Sequence, residues 1–240
     1  MRKKTPIQAI TFDAVGTLMR IAEPVGETYA RLAHDLGATL SPRALDEGFR
    51  GVFAHMPPMA FPGLDEVKRL RAERDWWHAL VERVVRHAGR IPDFEADFEA
   101  YFDALFSHYA SGAAWRAYPE AHQALRSARG RGLRVGVVSN FDSRLPSILR
   151  ELGFESLVDT VVYSTDCGAA KPDRRIFRHA LEALDATADT ALHVGDSLDT
   201  DYHGALAAGM RAVHLHRGGG PVGGNIPTVK YLGELDAYLD

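Results

Sequence analysis

Four polar positions in this chain stand at or beyond the ends of short apolar runs, and their side chains suit the handling of a phosphoryl group. The run IQAITF (7–12) ends at Asp13, followed by Gly16-Thr17. RVGVV (134–138) ends at Ser139-Asn140. TVVYS (160–164) leads into a loop that reaches Lys171-Pro172. ALHV (191–194) ends at Gly195-Asp196-Ser197. A carboxylate can attack phosphorus and hold the group as a transient aspartyl-phosphate. An anionic phosphate and an attacking carboxylate repel each other, so a cation must sit between them. A hard divalent ion held by two carboxylates, a carbonyl and water meets that need. Asp13 and Asp196 are the candidate carboxylates. Lys171 offsets the charge that remains on the phosphoryl oxygens. Ser139, the Asn140 backbone and the Gly16-Thr17 turn are the candidate substrate-binding groups.

These residues converge only if the runs are strands of one parallel sheet, because ligands of such sheets bind beyond the carboxyl ends of the strands. After Trp115 the pattern supports this. β-rich runs, with RAVHL (211–215) as a further one, alternate with amphipathic helices marked by Leu145, Ile148, Leu149 and Leu152, then Ile176, Phe177, Ala180, Leu181 and Leu184, then Ala205 to Ala208. Gly153 and Gly209 stand where helix C-caps belong. That alternation predicts a parallel sheet with helices on both faces.

Residues 20–110 read as all-helical. Val25, Tyr29, Leu32 and Leu36 share a face, with Gly37 as a stop. Ser41-Pro42 opens a second helix carrying Leu45, Phe49, Val52, Phe53 and Met56. HMPPMAFPG (55–63) is a loop. Val67 to Val85 mark a long helix, and Phe94, Phe98, Phe102, Leu105 and Phe106 mark another. The expected fold is α/β: a Rossmann-like parallel-sheet core over 1–19 and 111–240, with an all-helical domain inserted at 20–110.

Composition excludes several classes of function. The 240 residues are 46% hydrophobic, and 28 Lys+Arg against 32 Asp+Glu give a formal net charge of −4. That balance calls for neither nucleic acid nor an anionic membrane as partner. A single cysteine, Cys167, forms no intramolecular disulfide. The opening MRKKTP has no apolar stretch behind it and is not read as a signal peptide. No apolar run is long enough to cross a bilayer. The expectation is a soluble cytoplasmic protein acting on a small molecule, with no signal for an oligomeric state.

FDAVGTL (12–18), VVSN (137–140), KPDRRIF (171–177) and VGDSLDTD (194–201) resemble, in order and spacing, the four motifs of the haloacid dehalogenase superfamily. GALAAGM (204–210) is similar to the stretch after the fourth motif there. The helical insert resembles the type 1 cap of subfamily IA, which closes over the site and excludes water. The resemblance implies a magnesium-dependent hydrolase. Asp13 would be the nucleophile and Lys171 its catalytic cation. Asp13, Asp196 and the Val15 backbone carbonyl would hold Mg2+. Asp201 would be the second carboxylate of the fourth motif, holding Lys171 or a metal-bound water. The expected activity is that of a phosphatase for a small phosphorylated metabolite.

Val15 departs from the pattern. Phosphatases of the superfamily carry a second aspartate there, which protonates the leaving oxygen and later activates water. Valine does neither, and such help is worth ~10²–10⁴-fold. The loss opens three other readings. Haloacid dehalogenases have an aromatic residue there and need no metal, but they replace the Gly-Asp that this chain keeps at Asp196. Phosphonatases have a small residue there and use a cap lysine as a Schiff base, for which Lys68 is the candidate. A binding or regulatory protein without turnover is the third. Metal-dependent phosphoryl chemistry is preferred, on substrates such as acyl or aryl phosphates that leave without protonation.

The remaining features read as structure. Cys167 is a buried or half-buried thiol, and Asp199 a solvated carboxylate. His193, His203, His214 and His216 have no zinc-ligand spacing and read as packing. GGGPVG (218–223) satisfies G-x-G-x-x-G but leads into Asn-Ile-Pro rather than a helix, so it is not a dinucleotide loop. Trp76 and Trp77 read as packing of the insert, with one a candidate to face the site. His55, Met56 and Phe61 are the loop's candidates for lining the cleft.

Overall fold

The computed structural model describes residues 5–89, 98–219 and 223–239. Phe94, and residues 220–222 of the GGGPVG run, lie outside the described residues. The chain runs β1 (Ala9–Phe12), β2 (Met19–Ile21), α1 (Val25–Asp35), α2 (Pro42–Phe53), α3 (Glu66–His87), α4 (Phe98–Ala110), β3 (Trp115–Ala117), α5 (Ala121–Gly130), β4 (Arg134–Ser139), α6 (Leu145–Glu151), β5 (Thr160–Tyr163), α7 (Ser164–Cys167), α8 (Arg174–Ala183), β6 (Ala191–Gly195), α9 (Gly204–Ala207), β7 (Arg211–Leu215) and β8 (Thr228–Val229).

Six strands form one parallel sheet in the order β5-β4-β1-β6-β7-β8. Successive side chains of a strand point to opposite faces, and here both faces are covered. Ile10, Phe12, Val135, Val137, Leu192 and Val194 pack with Leu125 of α5 and Ile148 and Leu149 of α6. Ala9, Val138, Ala191 and Ala212 face Ile176, Phe177 and Ala180 of α8 and Ala205 of α9. The architecture is the expected α/β, Rossmann-like one. Because β1 lies between β4 and β6, Asp13 emerges at the centre of the sheet's carboxyl edge.

Two readings from sequence need correction. The first strand starts at Ala9, two residues later than its apolar run. Gln8 N donates to Thr190 O, in the turn before β6, so the ladder there meets a turn rather than a strand. Residues 20–110 are also not helical throughout. β2 pairs antiparallel with β3, making a two-stranded ribbon where the chain leaves the sheet and returns. A three-residue strand is too short to show a period, and its partner lies beyond the whole insert.

The insert builds its own core from Tyr29, Leu45, Leu80, Val84, Phe102 and Leu105. Its helices start where the capping residues stand. Ser41 Oγ accepts from Ala44 N, and Asp65 Oδ1 accepts from Lys68 N. Among the described residues no helix is long and apolar enough to cross a membrane.

Glu73 of α3 fastens the insert to the sheet domain. It is 1% exposed and accepts from Arg69 Nη1 at 2.9 Å, Thr165 Oγ1 at 2.5 Å, and both the backbone N and the Oγ of Ser143. Removing one partner of a buried ion pair typically costs about 3–5 kcal/mol, because the other charge is left uncompensated. Arg69 keeps a longer contact with Asp166, at 3.5 Å. Glu73→Ala is therefore expected to destabilise the protein by about 3 kcal/mol in urea unfolding. A change below ~0.5 kcal/mol, the range of ordinary surface substitutions, would show that the latch carries no stability.

Candidate active site

Asp13 follows β1 directly and is 6% exposed. Its Oδ1 accepts from Lys171 Nζ at 2.6 Å and from Ser139 Oγ at 3.1 Å, which brings the first three predicted residues into one contact. Burial pushes the Asp13 carboxyl up to about 6. The Lys171 charge works against this shift, and the nearby Asp201 and Asp196 add to it.

Asp196 and Asp201 reach the same point from the end of β6. The Asp196 side chain faces the cleft, and burial, with Asp201 beside it, raises its carboxyl above the ordinary range. Asp201 comes from a wide helical turn (Leu198–His203) and is 1% exposed. Its Oδ1 accepts from Lys171 Nζ at 2.5 Å, and its Oδ2 accepts from Ser197 N at 3.0 Å. Burial favours its neutral form, but Lys171 and His193 outweigh that and hold Asp201 well below the usual carboxylate range. Two glycines make the approach possible. A Cβ on Gly195 would lie 2.2 Å from Asp201 Cγ, and one on Gly16, where φ is +90°, would lie 2.2 Å from Asp196 Oδ2.

Lys171 is 5% exposed. Burial alone would favour its neutral form, but Asp13 and Asp201 outweigh it and keep its ammonium above the ordinary lysine value. Asn140 positions it. The Asn140 side chain accepts from Lys171 N at 2.7 Å and donates to Lys171 O at 3.0 Å, so this residue clamps the lysine's backbone.

One oxygen from each of Asp13, Asp196 and Asp201 lies within 4.8 Å of the others. All three line the cleft, but both Asp201 oxygens are engaged, Oδ1 by Lys171 and His193 and Oδ2 by Ser197, which leaves Asp13 and Asp196 as the carboxylate pair better placed to meet a cation. Three carboxylates meet one ammonium here. This donor set, with Asp196 cradled over Gly16, suits a hard divalent cation.

Gly16 and Thr17 do not line the cleft as expected. Gly16 packs beneath Asp196. The Thr17 side chain is fully buried, and its hydroxyl has no partner among the described residues. Their carbonyls are instead held by Arg217, whose Nε donates to Gly16 O at 3.0 Å and whose Nη2 donates to Thr17 O at 2.7 Å, with Glu120 neutralising the guanidinium.

Three contacts escaped the sequence. His193 Nε2 meets Asp201 Oδ1 at 3.3 Å while its Nδ1 meets Thr11 Oγ1 at 2.8 Å, and burial favours its neutral form. His214 Nε2 meets Asp196 O at 3.0 Å. Two histidines read as packing thus support the end of β6, His193 at the Asp201 carboxylate and His214 at the Asp196 backbone carbonyl. Asp142, fully buried, binds Arg144 through both oxygens and accepts from Trp77 Nε1 at 2.6 Å. Its place two residues after Asn140 was the only signal available.

Above the carboxylates lies a cavity of about 410 Å³ between insert and sheet. Val15 and Trp77 line it, whereas His55, Met56 and Phe61 do not, and Met59 is the loop residue that does. His55 Nδ1 turns back to Gly51 O, and Met56 Sδ accepts from Arg83. Lys68 stands on the first turn of α3, its side chain 71% exposed and paired with Asp65, and it does not line the cavity. The Schiff-base candidate is therefore out of place. Cys167 is half-buried on α7.

Residues 7–209 match the family model for haloacid dehalogenase-like hydrolases. The chain is 35% identical over 212 residues to the haloacid dehalogenase-like hydrolase domain-containing protein 3 of Mus musculus, covering 88% of this chain and 83% of that protein. It is similar in fold to a HAD phosphatase from Thermococcus onnurineus, with a TM-score of 0.67, 24% identity and coverage of 97% and 98%. A 2-haloacid dehalogenase from Pseudomonas syringae pv. Tomato DC3000 is similar too, with a TM-score of 0.65, 22% identity and coverage of 97% and 98%. The last two share the fold and differ in named chemistry, so the reaction must be argued from the site.

Proposed function

The chain belongs to the haloacid dehalogenase-like hydrolase family, and from that premise we propose that it is a magnesium-dependent phosphohydrolase with Asp13 as nucleophile. The carboxylate pair of Asp13 and Asp196, facing one cleft beside Lys171, carries this reading. Asp13, Asp196 and the Val15 carbonyl would hold Mg2+, which supplies the positive charge that lets an anionic phosphate approach a carboxylate.

The protein groups then have separate tasks. An Asp13 oxygen attacks phosphorus while the bond to the leaving oxygen breaks, and water later releases phosphate from the aspartyl group. Lys171, kept protonated between two carboxylates, orients Asp13 and faces the transferred oxygens. Asp201 and Asn140 hold Lys171 in place. Ser139 fixes the Asp13 carboxylate.

Among the described residues, no side chain on the cavity wall outside the cluster of Asp13, Lys171, Asp196 and Asp201 is in place to protonate the leaving oxygen. Val15 lines the cavity, and no histidine does so among the described residues. The phenols there are poor acids: burial pushes Tyr29 well above its usual value and Tyr109 up to about 12. The reading is therefore of an enzyme for leaving groups that depart as stable anions, acyl and aryl phosphates among them. A carbon–halogen substrate is the second reading, favoured by the same Val15, since halide also leaves unprotonated. It keeps Asp13 as the nucleophile but gives Asp196 no task.

Phosphate release from acetyl phosphate and p-nitrophenyl phosphate, with magnesium and with a chelator, tests the proposal. Release that needs magnesium is expected. Halide release from a 2-haloacid in chelator, with no phosphate release, would replace it by the second reading.

A further inference from the structure

We infer that the substrate is an aryl phosphate, the monoester of a phenol whose ring lies in the cavity under the helical insert. The phosphate end rests on the phosphohydrolase reading. The ring end rests on the cavity itself.

A volume of about 410 Å³ falls within the ~300–1,000 Å³ of small-molecule sites. Beyond the polar floor around Asp13 and Lys171 its wall is mainly apolar, and rings are prominent on it: Phe49 and Phe53 of α2, Trp77 of α3, Phe106 of α4, and Phe141 after β4, beside aliphatic Val25, Val81 and Leu105. Phe53 is 45% exposed, although Phe49 stacks on it at 5.4 Å and Trp77 stands 6.5 Å away. A large apolar ring held open on a cavity wall gains by covering. Offset and edge-on contacts at 4.5–7 Å are the geometry in which aromatic rings attract one another.

Arg144 is the one cation on the wall besides Lys171 among the described residues. Its charge is already neutralised by Asp142, and its guanidinium lies 4.2 Å from the Phe106 ring centre and 5.1 Å from that of Trp77. Paired in this way and lying against two rings, it is not a seat for a second anion. A sugar or polyol reaching past the polar floor would set hydroxyls against the ring-lined part of the wall, and each one left unpaired there weakens binding by roughly tenfold.

Val15 points the same way independently. A phenol has a pKa of about 10, so phenoxide leaves without a proton donor. The Asp13–phosphorus bond forms, the phosphorus–aryl oxygen bond breaks, and the phenoxide takes the electron pair and a proton from solvent.

The test separates ring from phosphate. In the inert Asp13→Asn background with magnesium, calorimetry compares 2-naphthyl phosphate, glycerol phosphate and inorganic phosphate. Naphthyl phosphate is expected to bind at least about tenfold tighter than glycerol phosphate, and Phe53→Ala to remove most of that difference. Phe53 is half-exposed, so this variant does not disturb a packed core. Equal affinities overturn the aryl inference, even if the wild type hydrolyses acetyl phosphate. Tight naphthyl phosphate binding by a wild type that hydrolyses no phosphate ester or anhydride leaves the ring site standing and overturns the phosphohydrolase reading.

Discussion

Asp13→Asn is expected to abolish phosphate release, by at least about 10⁴-fold, while making the magnesium-free protein more stable at neutral pH. The first effect arises because the amide is no nucleophile, whereas its size and its contacts with Ser139 and Lys171 can be kept. The second arises from the carboxyl's position at about 6 in the fold against 3.8 in the unfolded chain. A group raised in this way contributes stability that is complete below the unfolded value and is lost as pH rises through the folded one. Above about pH 6 the wild type therefore carries the full cost of an ionised buried carboxylate, and asparagine carries none. At 1.36 kcal/mol per pH unit this amounts to about 3 kcal/mol, an upper figure because Lys171 also loses a partner charge.

Unfolding midpoints in chelator at pH 8 and pH 5 measure the effect, with the gap narrowing at the lower pH. Magnesium should then stabilise the wild type and close the gap at pH 8, since an ion that binds only the folded state adds to its stability. A variant no more stable than wild type at pH 8 would refute the electrostatic account. Release above a hundredth of wild type would refute the nucleophile.

Val15→Asp is expected to raise turnover of simple alkyl phosphates by ~10²–10³-fold and to change turnover of aryl and acetyl phosphates by only a few-fold. Val15 is 37% exposed and lines the cavity beside the carboxylates, so an acid placed there can reach a leaving oxygen. An alkoxide needs that proton, and a phenoxide or acetate does not. Val15→Asn controls for polarity, being of similar size without an acidic proton. The diagnostic quantity is the ratio of alkyl to aryl kcat/KM. If asparagine raises that ratio as much as aspartate does, proton donation is not what Val15 lacks.

Much of this site is written in local pattern. Asp13, Ser139 and Asp196 are found by asking which polar residue ends each apolar run, because a parallel sheet covered on both faces must be apolar inside its strands and can turn polar only where they stop. Gly153 and Gly209 both adopt positive φ after their helices, as residues marking C-caps should. The Ser41 and Asp65 caps are likewise local events.

What the pattern cannot carry is the identity of a partner. Periodicity says that His193 and His214 are buried, and the structure adds that they are buried against Asp201 and Asp196. Gly16 and Thr17 are expected at the substrate because they form the turn after the first strand. Only the folded chain shows Arg217, two hundred residues later, holding their carbonyls. Nothing local marks Glu73, whose partners Ser143 and Thr165 come from the sheet domain. The cavity belongs to no segment at all. Its rings come from α1, α2, α3, α4, β3 and the end of β4, each with its own helical or strand period. The sequence by itself thus determined the succession of strands along the chain, the chemistry at their ends and the missing acid at Val15, because these depend on near neighbours in the chain. The tertiary structure decided which carboxylates share Lys171, what supports them and which surface the leaving group meets, because those depend on contacts that burial drives without regard to sequence separation.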